Sequence, residues 1–246
     1  MHRFFLPPEH IAGHRVTFPK EIAHQILHVL RLGDGDQVAV LDNRGVIHHV
    51  RLQVDSPTST VTGLIIETQP IRSEPKTNLS LYFGLSSREK VEWILQKGTE
   101  VGVSGFYPFY SSRTLVKPAS LSLKKLERWE RIIREAAEQS GRGRLPVLHS
   151  PKELEGCFSD AVRLNDLCLL AYEAADDDGQ KLSDALDRFS GATIALFVGP
   201  EGGFSEGEVQ LGVVAGFNIV SLGARILRME TAAMVLPALV LYALDD

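Results

Sequence analysis

Two glycine-bearing loops near the C-terminus carry the residues best suited to chemistry: Gly199-Pro200-Glu201-Gly202-Gly203 and Leu222-Gly223-Ala224-Arg225. A third segment, Ala171-Tyr172-Glu173, also ends an apolar run. Glycine lacks a Cβ, so backbone N–H and C=O groups there can approach a flat ligand closely. A neutral adenine can be read by such groups, with Leu222, Ile226 and Leu227 covering its faces. A phosphate loop is the competing reading, but no GxxxxGK[ST] and no GxGxxG after a strand occurs. Glu201 would repel a phosphate, and a cationic ligand such as a sulfonium suits an acidic loop better. On turn chemistry alone, Pro200-Glu201-Gly202-Gly203 serves equally well as a simple turn.

The elements that must position these loops follow from apolar patterning. LSLYFGL (79–85), LCLLAYE (167–173), TIALFVG (193–199) and NIVSLG (218–223) read as buried strands, and FYPFY (106–110) as another. Helices alternate with them. Ser86 and Glu89 fit a capping box before Val91, Ile94, Leu95 and Val101, and Ser205 and Glu208 fit a second. Residues 122–140 form the clearest helix, with Leu123, Leu126, Trp129, Ile132, Ile133 and Ala136 on one face and Gly141 as its C-terminal cap. Trp93 and Trp129 lie on such stripes and read as core. A last helix begins near Glu230, with Pro237 expected to bend it. This alternation predicts an α/β fold with a mostly parallel sheet covered on both faces, and ligands beyond the carboxyl ends of its strands.

The first 70 residues read differently, as a small β-rich unit. Gly33-Asp34-Gly35-Asp36 and Asn43-Arg44-Gly45 supply turn positions, 37–42 and 46–53 pair as a hairpin, and a third strand lies near 59–67. Gln69–Lys76, with two prolines and no periodicity, reads as a linker. The expected division is therefore 1–70 and 71–246.

The 246 residues carry a net charge of −5, distributed unevenly. Residues 1–144 hold 20 Lys+Arg against 15 Asp+Glu, and residues 145–246 hold 6 against 16. Such asymmetry suggests that the first part meets an anionic partner, with random drift of surface charge as the alternative. No window has the roughly 18 apolar residues of a membrane span, and MHRFFLPPEH lacks a signal-peptide core. Cys157 and Cys168 show no metal-like spacing, so a reduced, cytoplasmic setting without metal is expected.

Taken together, VGPEGGFSEGEV and SLGARILRMETAA resemble the C-terminal signature of the RsmE family of bacterial 16S rRNA methyltransferases, within the SPOUT superfamily. EAAEQSGRGRLP (135–146) resembles that family's middle motif, and Lys97, Glu100 and Gly102 its K-x-x-E-x-G pattern. MHRFFL and HVLRLGDGD (28–36) resemble its N-terminal domain. The likeness covers nearly the whole chain in order, with Val101 where a Leu is expected as a conservative departure.

The resemblance implies a SPOUT-type C-terminal domain with a trefoil knot through the 199–203 and 222–231 loops, and a small N-terminal PUA-like β-barrel that binds RNA. It implies S-adenosyl-L-methionine as cofactor, an obligate homodimer with shared sites, and methylation of N3 of uridine 1498 in the 16S rRNA of the small ribosomal subunit. Cofactor contacts carried over are Leu170, Tyr172, Glu173, Val198, Gly199, Pro200, Glu201, Gly202, Gly203, Leu222, Gly223, Ile226, Leu227, Arg228, Met229 and Thr231.

For catalysis, Arg228 is the candidate stabiliser of a uridinate anion. Glu201 is the candidate for orienting the cofactor's ammonium or, second, for accepting the N3 proton. Plainer roles exist for both: a salt bridge from Arg228 to Glu201 or Glu230, and a helix-terminus charge for Glu201. No His or Cys nucleophile is required. Arg113, Arg142 and Arg144 in the basic 113–144 segment, with Arg3, Lys20, His24 and Arg31, are the candidate RNA contacts. His28 could join them or pack inside, and the arginines after the long helix could simply complement its dipole. The Asp176-Asp177-Asp178 run reads as a solvated connection. A non-catalytic RNA-binding or ribosome-assembly protein and a nucleotide-binding α/β enzyme are the competing functions. The intact glycine loops oppose the first, and the missing phosphate motifs oppose the second.

Overall fold

The computed structural model describes residues 1–55, 57–116, 122–173 and 180–244. Lys117 and the Asp176-Asp177-Asp178 run lie outside them. The chain forms two compact units, one of Met1–Glu74 with Ala137–Leu145 and one of Pro75–Ala136 with Pro146–Asp246.

The first unit contains β1 (Arg3–Phe5), β2 (Ile11–Ala12), β3 (Arg15–Thr17), α1 (Lys20–His24), β4 (Gln37–Leu41), β5 (Val46–Asp55) and β6 (Thr60–Pro70). A wider helical turn, Gln25–Val29, continues α1. The sheet order is β1-β4-β5-β6-β3-β2, with β1 parallel to β4 and the other pairs antiparallel. The predicted β4–β5 hairpin forms. Asn43 and Gly45 take positive φ, and the Asp42 carboxylate accepts from the Arg44 and Val46 N–H groups at 2.8 and 3.0 Å. Strand β6 continues through Gln69 and Pro70, which the sequence assigns to the linker. Phe4, Phe18, Ile26, Val38, Val50 and Leu52 are among the buried residues of its core.

The second unit contains β7 (Asn78–Gly84), α2 (Arg88–Val101), β8 (Gly105–Tyr110), α3 (Leu123–Ser140), β9 (Val147–Leu148), β10 (Lys152–Glu153), α4 (Leu154–Leu164), β11 (Leu167–Ala171), β12 (Gln180–Lys181), α5 (Leu182–Leu186), β13 (Thr193–Val198), α6 (Glu206–Val214), β14 (Asn218–Ser221) and α7 (Met229–Ala243). The last turn of α3, from Ala137, belongs to the first unit. All strand pairs are parallel, in the order β10-β8-β7-β13-β11-β14-β12, with β9 beside β8.

Alternating residues of each strand feed two cores. Leu79, Leu81 and Phe83 pack with α2, α7 and Trp129, while Tyr82 packs with α4 on the other face. Val91, Ile94 and Leu95 turn the apolar stripe of α2 inward, each contributing about 1.5–3 kcal/mol by burial. Gly141 caps α3 with φ 77° as expected. The helix α7 continues through the buried Pro237.

One capping expectation fails. Helix α2 starts at Arg88 with Ser87 at its N-cap and no side-chain cap, because Ser86 directs its hydroxyl elsewhere, to Glu201. The Ser205/Glu208 box is present in full. In α7, Ala232, Leu236 and Val240 are buried in the unit's own core, and Leu239 and Tyr242 face outward.

Candidate functional site

Three parallel strands, β11, β13 and β14, end side by side, and the loops that follow them enclose a cleft of about 310 Å³. Tyr172, Glu173, Val198, Gly199, Pro200, Glu201, Gly202, Gly203, Leu222, Gly223, Ile226, Leu227, Arg228 and Met229, all among the cofactor contacts that the resemblance implies, line it. Leu170 and Thr231 do not. Strand alternation turns Leu170 to the other face, where it is fully buried in the aromatic core, and Ala171 lines the cleft instead. On α7, Met229 and Ala232 share the cleft-facing side one turn apart, so Thr231 is rotated away.

The glycine loop is held from several sides. Its Gly203 N–H donates to the Pro200 carbonyl at 2.8 Å. Gly84, the last residue of β7, lies so close that a Cβ there would meet the Pro200 nitrogen at 2.5 Å, so only glycine permits this approach. Arg113 Nη1 donates to the Gly202 and Phe204 carbonyls at 2.9 and 3.2 Å. This gives Arg113, expected only as an RNA contact, a supporting role beneath the loop. The Glu208 carboxylate accepts from Ser205 N–H at 2.8 Å and Ser112 N–H at 2.9 Å, fixing the start of α6.

Electrostatically the cleft is mixed. Glu173 and Glu201 supply carboxylates, and Arg225 and Arg228 supply cations. Glu201 accepts from Ser86 and pairs with Lys90 Nζ at 3.1 Å. These two partners hold its carboxyl below the usual range, so it is a stable anion and a weak base at neutral pH. Lys90 also stands 3.8 Å from Glu230. Of the acids suggested as partners for Arg228, Glu201 is thus engaged by Lys90, while the buried Oε2 of Glu230 lies within ion-pair distance of Lys90 but has no hydrogen-bond partner among the described residues. Arg228 is exposed at the N-cap of α7 and makes no ion pair among the described residues. The sequence signals neither Ser86 nor Lys90 as a partner, because each looks like an ordinary residue opening a helix 115 and 111 positions from Glu201. Ala171, Phe204, Ser221, Arg225 and Ala232 also line the cleft.

The predicted RNA contacts divide. Lys20, His24, Arg31 and Arg144 are exposed, as is His28, whose ring lies 4.7 Å from that of His24. Arg142 is not available. It is 4% exposed and forms a two-point ion pair with Glu74, at 3.0 Å to each oxygen. The expectation fails because Glu74, part of the apparent linker, turns inward and also accepts from the Gly143 and Arg144 N–H groups at 2.7 and 3.3 Å. Arg3 is half-buried, and its guanidinium donates to the Glu138 and Gln139 carbonyls at 3.4 Å, capping the end of α3.

A family model described as an RNA methyltransferase domain matches residues 73–241, which include every residue lining the cleft. The ribosomal RNA small subunit methyltransferase E of Bacillus subtilis is 36% identical over 228 residues, 87% of this chain and 84% of that protein. The chain belongs to the ribosomal RNA small subunit methyltransferase E family. A Synechocystis protein of the same name is 35% identical over 95% of this chain and 75% of its own length. The crystal structure of the Neisseria gonorrhoeae methyltransferase E, bound to S-adenosyl methionine, superposes with a TM-score of 0.85 at 32% identity. That likeness covers 97% of this chain and 96% of the other. Membership extends over both units of the fold.

Proposed function

We propose that the chain binds S-adenosylmethionine in the cleft at the ends of β11, β13 and β14 and methylates N3 of a uridine, position 1498, in the 16S rRNA of the small ribosomal subunit. The observation that carries this reading is the cleft itself, walled by two glycine loops and lying inside the matched methyltransferase domain. The bound cofactor supplies an electrophilic methyl group on a sulfonium. The chain's residues fit such a ligand: exposed backbone at Gly202 and Gly223, apolar side chains at Leu222, Ile226 and Leu227, and two carboxylates beside the cleft. Glu201, kept ionised by Ser86 and Lys90, attracts a cationic centre. Its depressed pKa makes it an orienting anion rather than the acceptor of the N3 proton. Arg228, which lines the cleft and makes no ion pair among the described residues, is the group that stabilises negative charge developing on the uracil.

In this reading Lys20, His24, His28, Arg31 and Arg144 supply phosphate contacts, and Arg3 and Arg142 hold the first unit together instead. The first unit serves as the PUA-like RNA-binding domain and the second as the methyltransferase domain. The knot implied by the resemblance would thread the 199–203 and 222–231 loops, supported by the position of β11 between β13 and β14. A homodimer is supported by the exposed Ile226, Leu239 and Tyr242. An rRNA substrate fits a cytoplasmic location, and no helix among the described residues is long and apolar enough to cross a membrane. Calorimetric titration tests the cofactor assignment: S-adenosylhomocysteine should bind, and tighter binding of ATP or NAD would overturn it.

A further inference from the structure

A second cleft, of about 240 Å³, lies on the α4 face of the parallel sheet. Tyr82, Tyr107 and His149 are among its lining residues, and Phe197 stacks behind Tyr82. Phe197, Tyr82, Tyr107 and His149 stack in sequence, with centroids 4.2, 4.3 and 4.0 Å apart. Tyr82 is fully buried, and its hydroxyl has no hydrogen-bond partner among the described residues. A buried hydroxyl left unmatched costs about 1–3 kcal/mol, so natural folds seldom leave one without a purpose. Neither the Tyr107 hydroxyl nor the His149 ring hydrogen-bonds to another described residue. The stack thus holds three polar groups without a hydrogen bond among the described residues, the Tyr82 hydroxyl enclosed and those of Tyr107 and His149 nearer the opening.

The interior and the rim differ in charge. Burial raises the Tyr82 hydroxyl and pushes the Cys157 thiol beside it up to about 12. Burial, assisted by Lys152, lowers the His149 imidazole. At neutral pH the interior therefore offers neutral donors and acceptors only. At the rim, one carboxylate, Asp160, faces two cations: Lys152 at 2.6 Å and Arg163 at 3.1 Å. A matching ligand has an uncharged polar ring and an anionic substituent. The volume, below the roughly 300–1,000 Å³ of sites for larger ligands, accommodates a single heterocycle.

We propose that this cleft is a second ligand site, which receives the base of a nucleotide against the Tyr82–Tyr107–His149 wall and leaves its phosphate at Lys152 and Arg163. The nucleotide could come from the free pool or from an RNA strand, and the two share this chemistry. The proposal does not depend on the identity of the ligand in the first cleft.

The test is calorimetric titration of the full chain, with S-adenosylhomocysteine present at saturation, using UMP, AMP, uridine and a short single-stranded RNA. A mononucleotide should bind, and uridine should bind more weakly than UMP. Tyr82→Phe keeps the ring and removes the hydroxyl, and it should weaken binding by about tenfold, the effect of one lost hydrogen bond. Lys152→Ala, an exposed change, should weaken UMP but not uridine. Binding of the RNA alone, weakened by Tyr82→Phe, would assign the site to a strand and support the proposal. No binding by any probe, or equal affinities in wild type and Tyr82→Phe, would overturn it and leave the hydroxyl satisfied by water only. Melting curves of Tyr82→Phe establish that it is folded. Titration of the unliganded protein with S-adenosylhomocysteine reports separately on the first cleft.

Discussion

Replacing Arg142 by Ala should destabilise the first unit rather than lower affinity for RNA. The guanidinium is 4% exposed and gives two hydrogen bonds of 3.0 Å to a Glu74 carboxylate that is 19% exposed. Removing one partner of a buried pair costs about 3–5 kcal/mol, because the other charge stays behind. Here Glu74 retains the Gly143 and Arg144 N–H groups and some contact with water, so the lower part of that range applies, about 3 kcal/mol. In a unit of this size that lowers the melting temperature by roughly 10 °C or more. The effect should depend on pH with a definite sign. Arg142 and the two N–H groups hold Glu74 below its ordinary value against the opposing effect of burial. The stabilisation is therefore complete above the unfolded carboxylate range and is lost as pH falls through the folded pKa. Denaturant unfolding of wild type and Arg142→Ala at pH 7 and in steps below pH 5 should show a gap that narrows on acidification. The exposed Arg144 provides the contrast: Arg144→Ala should leave stability unchanged and reduce the salt slope of RNA binding by about 1. An Arg142→Ala protein of wild-type stability with a flattened salt slope would refute the reasoning.

Other changes test the first cleft. Gly84→Ala places a methyl group against Pro200 and must displace the glycine loop, so methyl transfer should fall by about 100-fold; unchanged activity would mean the loop yields freely. Glu201→Gln should weaken S-adenosylhomocysteine binding at neutral pH, and wild-type binding should hold until pH falls below the ordinary carboxylate range, since Ser86 and Lys90 keep Glu201 ionised. Titration curves that coincide for the two proteins would remove Glu201 from the site. Arg228→Ala should lower single-turnover methylation at saturating RNA by about 100-fold with little change in RNA affinity, and a loss confined to cofactor affinity would reassign it. Sedimentation should give a particle near twice 27.1 kDa, and a fully active monomer would exclude a shared site.

Strands and cleft loops are legible in this sequence because their signals are local. A run such as TIALFVG declares a buried strand, and the glycines after it mark where backbone must be approached closely. What is not legible depends on distant partners. Ser86 reads as a helix cap until Glu201, far along the chain, takes its hydroxyl. Arg142 reads as an outstretched cation until Glu74 folds onto it. Leu170 and Thr231 lie outside the cleft lining for a smaller reason: each sits one position out of phase with the cleft-facing side of its strand or helix, and a motif carries no phase. The orphan hydroxyl of Tyr82 is equally silent, because LSLYFGL gives no sign of which residues will surround it.

The most direct test of the central claim is to incubate the protein with methyl-labelled S-adenosylmethionine and either naked 16S rRNA or assembled small subunits, then digest the RNA and identify the labelled nucleoside. The account predicts a single labelled product, N3-methyluridine at position 1498, formed about 100-fold more slowly by Gly84→Ala and Arg228→Ala. Label on a ribose hydroxyl or on another base, or no transfer to either form of the RNA, would contradict it.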